Sequence, residues 1–193
     1  MIALASTSPW RRELLGRLGL PFTVESPGVD ESPAPDEDGR QTARRLARAK
    51  ALAVAARHPH ALVIGSDQVC LAGGRVLGKP GSVAAAQAQL ASLSGQRAVF
   101  ATALCVIDGA GEREFAGCVD TTVAFLDLDA ARIARYVERE MPLDCAGSFK
   151  VEGLGISLFE AVRGDDPTAL VGLPMILLCR FLRACGVEPL AAP

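Results

Sequence analysis

The sequence predicts an α/β fold with a mixed central sheet and flanking helices, on three observations. Short β-branched runs such as Leu62-Val63-Ile64 alternate with stretches of helical period such as residues 42–57. At least two segments turn back as hairpins, at Gly73-Gly74 and at Asp108-Gly109-Ala110-Gly111, which an all-parallel sheet does not contain. Half of the 193 residues are hydrophobic, enough for one domain over 1–193 with a substantial core, or for two lobes that share a sheet.

Ile2–Ala5 reads as a strand, and Ser6-Thr7-Ser8-Pro9 leads into a helix with Ser8 as N-cap and Pro9 at its first position. Such a strand–loop–helix junction offers free backbone N–H groups and the positive end of the helix dipole to an anion, and Arg11 and Arg12 add charge. Phe22–Glu25 alternates like a strand. The acidic Val29-Asp30-Glu31-Ser32 and the proline-rich residues 33–39 then form a loop in which Asp30 and Glu31 are candidate ligands for a hard cation. Residues 42–57 form a helix with the inward stripe Ala43, Leu46, Ala47, Val54. Lys50 lies on that stripe, so its ammonium either snorkels past the core edge or faces a polar cavity.

Leu62-Val63-Ile64 reads as a buried central strand delivering Ser66, Asp67 and Gln68 to a sheet edge. A second apolar segment, 69–71, turns and returns through Val76 and Leu77 to Lys79. A two-residue turn at Gly73-Gly74 would put Asp67 and Lys79 on opposite faces; a three-residue loop from Ala72 would pair them, and the second is preferred here because glycine suits its left-handed third position. Gly73, Gly78 and Lys79 also match most of a P-loop, but Pro80 stands where a hydroxyl should hold magnesium, and the glycines sit in a hairpin. A P-loop ATPase is rejected.

Ser82 caps an Ala-rich helix that ends at Ser94-Gly95, with Leu90 and Leu93 inward. Residues 99–108 form a long buried strand, followed by the alternating Val119, Thr121, Val123 and Phe125 and a helix capped by Asp127 or Asp129. Residues 144–155 hold three glycines that allow close backbone approach, before a strand over 156–162. Asp165-Asp166-Pro167 and Gly172-Leu173-Pro174 precede a final apolar helix closed by Gly186.

A formal charge of -2 and a pI near 5.7 argue against a general nucleic-acid or anionic-membrane surface. The longest apolar run, near Ile176, is cut by Arg180, and Met1-Ile2-Ala3-Leu4 has no basic leader, so a soluble cytoplasmic protein is expected. The six cysteines show no metal-binding spacing, and His58 and His60 flank Pro59 in one turn. Chemistry therefore falls to carboxylates, lysines and arginines.

Eight short motifs in order carry a family resemblance across nearly the whole chain. They are residues 4–15, Val29-Asp30-Glu31, residues 46–51, residues 64–69, Gly78-Lys79-Pro80, Leu93-Ser94-Gly95, residues 146–149 and Gly172-Leu173-Pro174. Together they resemble the Maf family of nucleoside triphosphate pyrophosphatases. The resemblance implies an elongated two-lobed α/β unit related to inosine triphosphatases, with a central cleft, a nucleotide substrate, a divalent cation (magnesium or manganese) and a homodimer. It implies hydrolysis between the α and β phosphates, giving a monophosphate and pyrophosphate.

Trp10 and Gln68 stand where most family members resemble Arg and Thr, and together with Glu152 they resemble the branch assigned to 7-methyl-GTP. N7-methylation makes guanine cationic, so an indole can stack on it with about 0.5 to 2 kcal/mol of cation–π attraction. A carboxylate such as Glu152 can accept from N1–H and the exocyclic amino group together. On this reading Ser6, Ser8 and Arg11 bind the phosphates, while Lys50 and Lys79 neutralise charge on the leaving pyrophosphate. Glu31 and Asp67 hold the metal, or Asp67 takes the proton of the attacking water. The alternatives are a dTTP/UTP housekeeping pyrophosphatase and a nucleotide-binding regulator of septum formation.

Overall fold

A computed structural model describes residues 1–32, 34–109 and 113–191. The strands are β1 (Ile2–Ala5), β2 (Phe22–Glu25), β3 (Leu62–Ala72), β4 (Arg75–Leu77), β5 (Arg97–Asp108), β6 (Arg113–Phe125) and β7 (Phe159–Gly164). The helices are α1 (Pro9–Gly16), α2 (Gly39–Ala55), α3 (Val83–Leu93), α4 (Ala130–Glu140) and α5 (Met175–Ala184). The sheet runs β2-β1-β3-β5-β6-β7, with β4 attached to β3. β1 is parallel to β2 and β3, whereas β4 on β3 and β7 on β6 are antiparallel, so the sheet is mixed as expected. Ala110 and Gly111 of the expected second turn lie outside the described residues.

The chain forms two compact units. The first comprises residues 1–68, 102–119 and 166–193. In it, β1 is buried along its whole length, and Leu4, Ile64, Leu104, Leu14, Leu15, Leu173 and Leu178 form one apolar cluster. Full burial of each such side chain is worth about 1.5–3 kcal/mol. The second unit, residues 69–101 and 120–165, is centred on Phe100, Phe125, Phe149 and Phe159. Their rings meet edge to face at 4.8–5.8 Å between centroids, the geometry favoured by the aromatic quadrupole.

Helix α2 begins at Gly39, three residues before the position expected from periodicity. Asp38 accepts from the Gln41 amide while the Gln41 side chain accepts from the Asp38 amide, a reciprocal capping box that starts the helix inside what reads as loop composition. Its inner face carries Ala43, Leu46, Ala47, Lys50, Ala51 and Val54, all buried. The helix lies close on β3 because Gly65 has no side chain.

Three further expectations are corrected. β3 is continuous from Leu62 to Ala72 with β1 and β5 on either side, so Ser66, Asp67 and Gln68 lie within a central strand and not at a sheet edge. The β1 pairing stops at Leu4↔Ile64, however, and the trio therefore runs past the carboxyl end of β1, where the Ser6–Ser8 loop departs. The hairpin pairs Ala72 with Arg75 and Cys70 with Leu77, a two-residue turn that does not pair Asp67 with Lys79. Both Gly73 (φ 54°) and Gly74 (φ 74°) are left-handed, as a type I′ turn requires of its two central residues. Finally, Leu154–Leu158 is a 3₁₀ turn and β7 starts only at Phe159. Gly155 lies against the backbone of Lys150, so the chain folds on itself there before extending.

Gly65→Ala tests the seating of α2. A Cβ would run into the carbonyl oxygen of Ala47 and stand 2.7 Å from the Ala51 nitrogen, both rigid helix backbone. The substitution is expected to destabilise the protein by about 1–3 kcal/mol or more, measured as a lower denaturant midpoint; an unchanged midpoint would mean α2 is not closely seated.

Candidate functional site

At the β1–α1 junction, Ser8 caps the helix by accepting from the Arg11 amide at 3.4 Å, and Pro9 occupies the first turn, as the sequence predicts. Buried Ser6 accepts from the Ser8 amide at 3.2 Å and from Nη1 of Arg11 at 3.5 Å. The first turn of α1 holds no acidic side chain, so the positive end of its dipole is not offset there. Arg11 is half-buried, and its Nε donates to the Gly172 carbonyl at 2.8 Å. Trp10, on the same turn, is 39% exposed, which leaves indole surface accessible.

Lys50 is only 5% exposed and does not snorkel. Its Nζ lies 2.7 Å from Oδ1 of Asp67 and 2.6 Å from Oε1 of Glu31. Asp67 is buried on β3, whereas Glu31 comes from the exposed loop after β2. Its neighbour Asp30 is engaged locally, accepting from the Ser32 amide at 2.9 Å. Burial pushes the Asp67 carboxyl above its ordinary value, with Lys50 and then Arg11 pulling it down and Glu31 pushing it up. Burial also lowers the Arg11 guanidinium, against the attraction of Asp67 and Glu31.

The structure thus brings Ser6, Ser8, Arg11, Lys50, Asp67 and Glu31 together in the first unit. Trp10 and Gln68 belong to the same unit. Nε2 of Gln68 donates toward Oγ1 of Thr102 and the carbonyls of Ala169 and Leu170, at 2.9, 2.9 and 3.1 Å. Lys79, just beyond β4, and Glu152, in the turn before the 3₁₀ segment, are exposed residues of the second unit. Sequence reasoning missed Asp166, which is buried and accepts from the Ile176 amide at 2.7 Å and from the Thr168 hydroxyl at 2.6 Å, fixing the start of α5. It also missed Thr102, whose only local signal is a hydroxyl within an otherwise apolar strand.

A half-buried arginine and a buried lysine converge here on two carboxylates, beside a capped helix start at the carboxyl end of a parallel strand. Together they define an α/β protein with a buried mixed-charge cluster at the carboxyl end of its parallel strands. The chain matches the family model described as "Maf-like protein" over residues 1–185, and it belongs to that family. It is 51% identical over 98% of both chains to a protein of Chromohalobacter salexigens named 7-methyl-GTP pyrophosphatase. Proteins with the same name from Alkalilimnicola ehrlichii (56% identical, 96% of this chain and 93% of that one) and Pseudomonas aeruginosa (52%, 97% of each) are similar over nearly their full length. The fold resembles that of the Staphylococcus aureus Ham1 protein, with a TM-score of 0.52 at 15% identity, covering 95% of this chain and 98% of that one.

The electrostatics of Asp67 lead to a titration experiment. In metal-free protein its carboxyl is expected to titrate above the ordinary 3.8, followed by carbon NMR. Because the folded value exceeds the unfolded one, the folded state binds this proton more tightly, and the unfavourable contribution of the ionised group is relieved as pH falls through the folded value. Lys50→Met should move the titration higher still, since it removes the nearest cation. A downward move would contradict the assigned pairing.

Proposed function

We propose that the chain is a nucleoside triphosphate pyrophosphatase that converts 7-methyl-GTP to the monophosphate and pyrophosphate. The observation that carries this reading is the Glu31–Lys50–Asp67 cluster beside Arg11, in a chain half identical to proteins of that name. The Ser6–Ser8 loop and Arg11 hold phosphate oxygens, using helix N–H groups and a fixed guanidinium. Lys50 and Lys79 neutralise the charge that grows on the departing pyrophosphate. Water attacks phosphorus, the P–O bond to pyrophosphate breaks, and the water's proton passes to Asp67. Burial raises the basicity of that carboxylate, which suits it to accept a proton.

The donor chemistry also fits a hard divalent cation. Among the described residues no group of three or more His, Cys, Asp or Glu side chains converges, but two carboxylates are what magnesium or manganese commonly takes, completed by water and phosphate oxygens. Glu31 would hold it, joined by Asp67 where that carboxylate is a ligand instead of the proton acceptor, and the ion would offset phosphate charge and lower the pKa of water. Trp10 stacks on the cationic base, Gln68 lines its site, and Glu152 reads the guanine edge. The reading is completed by a homodimer in the cytoplasm; no helix among the described residues is long and apolar enough to cross a membrane.

Purified protein should be assayed with 7-methyl-GTP, GTP, dTTP and UTP in magnesium or manganese, detecting pyrophosphate and monophosphate separately. Preference for the methylated substrate is expected, and equal or greater turnover of dTTP or UTP would overturn the assignment. Asp67→Asn keeps the side-chain shape but removes the charge, so kcat should fall about 10²-fold or more with the fold retained.

Selectivity separates the base contacts from the chemistry. Glu152→Gln should weaken 7-methyl-GTP turnover by about 1 to 3 kcal/mol and pyrimidine substrates less, because an amide turns one acceptor into a donor facing a donor. Trp10→Arg should disfavour the cationic base by repulsion. Equal proportional losses across 7-methyl-GTP, GTP and dTTP in both variants would show that the two residues act structurally.

A further inference from the structure

The turn at residues 169–172 is gripped by three side chains of β3 and β5. Ser66, fully buried, places its hydroxyl 2.9 Å from the Gly172 carbonyl and 2.8 Å from that of Ala103. Thr102, also fully buried, donates to the Ala169 carbonyl at 2.9 Å, so its oxygen is left to accept from Nε2 of Gln68. Gln68 in turn reaches the carbonyls of Ala169 and Leu170.

This turn supports one charged group. The Gly172 carbonyl accepts from Nε of Arg11 at 2.8 Å and lies 2.9 Å from the hydroxyl of Ser66, whose single proton it shares with the Ala103 carbonyl. Gly172 has φ of 115°, and a Cβ on it would stand 3.2 Å from Nε of Arg11, so both backbone conformation and space favour glycine there. A guanidinium held through Nε and Nη1 turns its remaining N–H groups out in one fixed plane, which suits paired phosphate oxygens.

We propose that Ser66 and Thr102 are positioning residues for phosphate binding: without touching substrate, they lock the 169–172 turn so that the Gly172 carbonyl orients Arg11. The inference rests on the role assigned to Arg11 above. Orientation should matter equally for every nucleotide, whatever its base.

Ser66→Ala and Thr102→Val should each lower kcat/KM about 3- to 10-fold, the scale of one hydrogen bond, mainly through KM and by one factor for all nucleotides. Thr102→Ser, which keeps the hydroxyl, should restore wild-type values. The decisive measurement is a double-mutant cycle: in an Arg11→Ala background, Ser66→Ala and Thr102→Val should cause no further loss. Additive losses, or a lower active fraction at unchanged KM, would overturn the inference by showing a merely structural role. If Thr102→Val does not fold, the Ser66→Ala cycle decides alone. Calorimetric binding of inorganic pyrophosphate separates this inference from the proposed function. Weakened pyrophosphate binding in the variants, with no triphosphate hydrolysis by the wild type, would uphold the positioning role and sink the pyrophosphatase reading. Wild-type pyrophosphate binding and kcat/KM in both variants would do the reverse.

Discussion

The burial of one ammonium group between two carboxylates is the constraint from which much of the first unit follows. Removing Lys50 and Asp67 from water carries a desolvation penalty of several kcal/mol per ion, offset only by close pairing and good geometry. The pairing requires α2 close against β3, which the bare face of Gly65 permits, and it requires the Asp38 capping box to begin the helix in the right place. Asp67 still stays more basic than an ordinary aspartate. A charged residue held in an unfavourable setting by well-packed neighbours is how functional groups commonly depart from the most stable sequence.

The cluster is close to electrically neutral, with Lys50 and Arg11 against Asp67 and Glu31. On the proposed reading, a triphosphate would bring several negative charges to a cluster whose two cations are already matched by two carboxylates. A divalent ion then has an electrostatic as well as a chemical reason to be present. The two carboxylates also differ in setting. Asp67 sits in a central strand while Glu31 reaches Lys50 from an exposed loop, so the cluster joins a buried group to one at the surface.

Local chemistry made much of this readable. Ser8 with Pro9, Ser82 and Gly95 mark helix ends by side-chain type alone, and Lys50 betrays itself by falling on an apolar stripe. The hairpin register did not, because two adjacent glycines suit both a two-residue and a three-residue turn, and only their backbone angles decide. Asp38 was hidden in a loop-like composition, where a four-residue capping pattern outweighed the helix-weakening effect of Gly39. Family resemblance was needed to single out Glu31 from Asp30, since the two are adjacent carboxylates in one loop. Thr102 showed only as a hydroxyl within an apolar stretch, and Ser66 only as one of a polar trio: their partners lie 67 and 106 residues away, and such hydrogen bonds are defined only by the tertiary fold.

The bond from Arg11 to the Gly172 carbonyl joins residues 161 positions apart, within a unit assembled from three separate chain segments. During synthesis, α1 and its arginine emerge well before the carbonyl to which the guanidinium donates. The second unit, whose residues end at 165, can collect its aromatic core before then. A chain cut short of residue 172 would thus carry Arg11, Lys50, Asp67 and Glu31 without the carbonyl that fixes the guanidinium. That contact forms only once the turn at residues 169–172 has docked against a helix made long before it, so the placing of the guanidinium is a late event of folding.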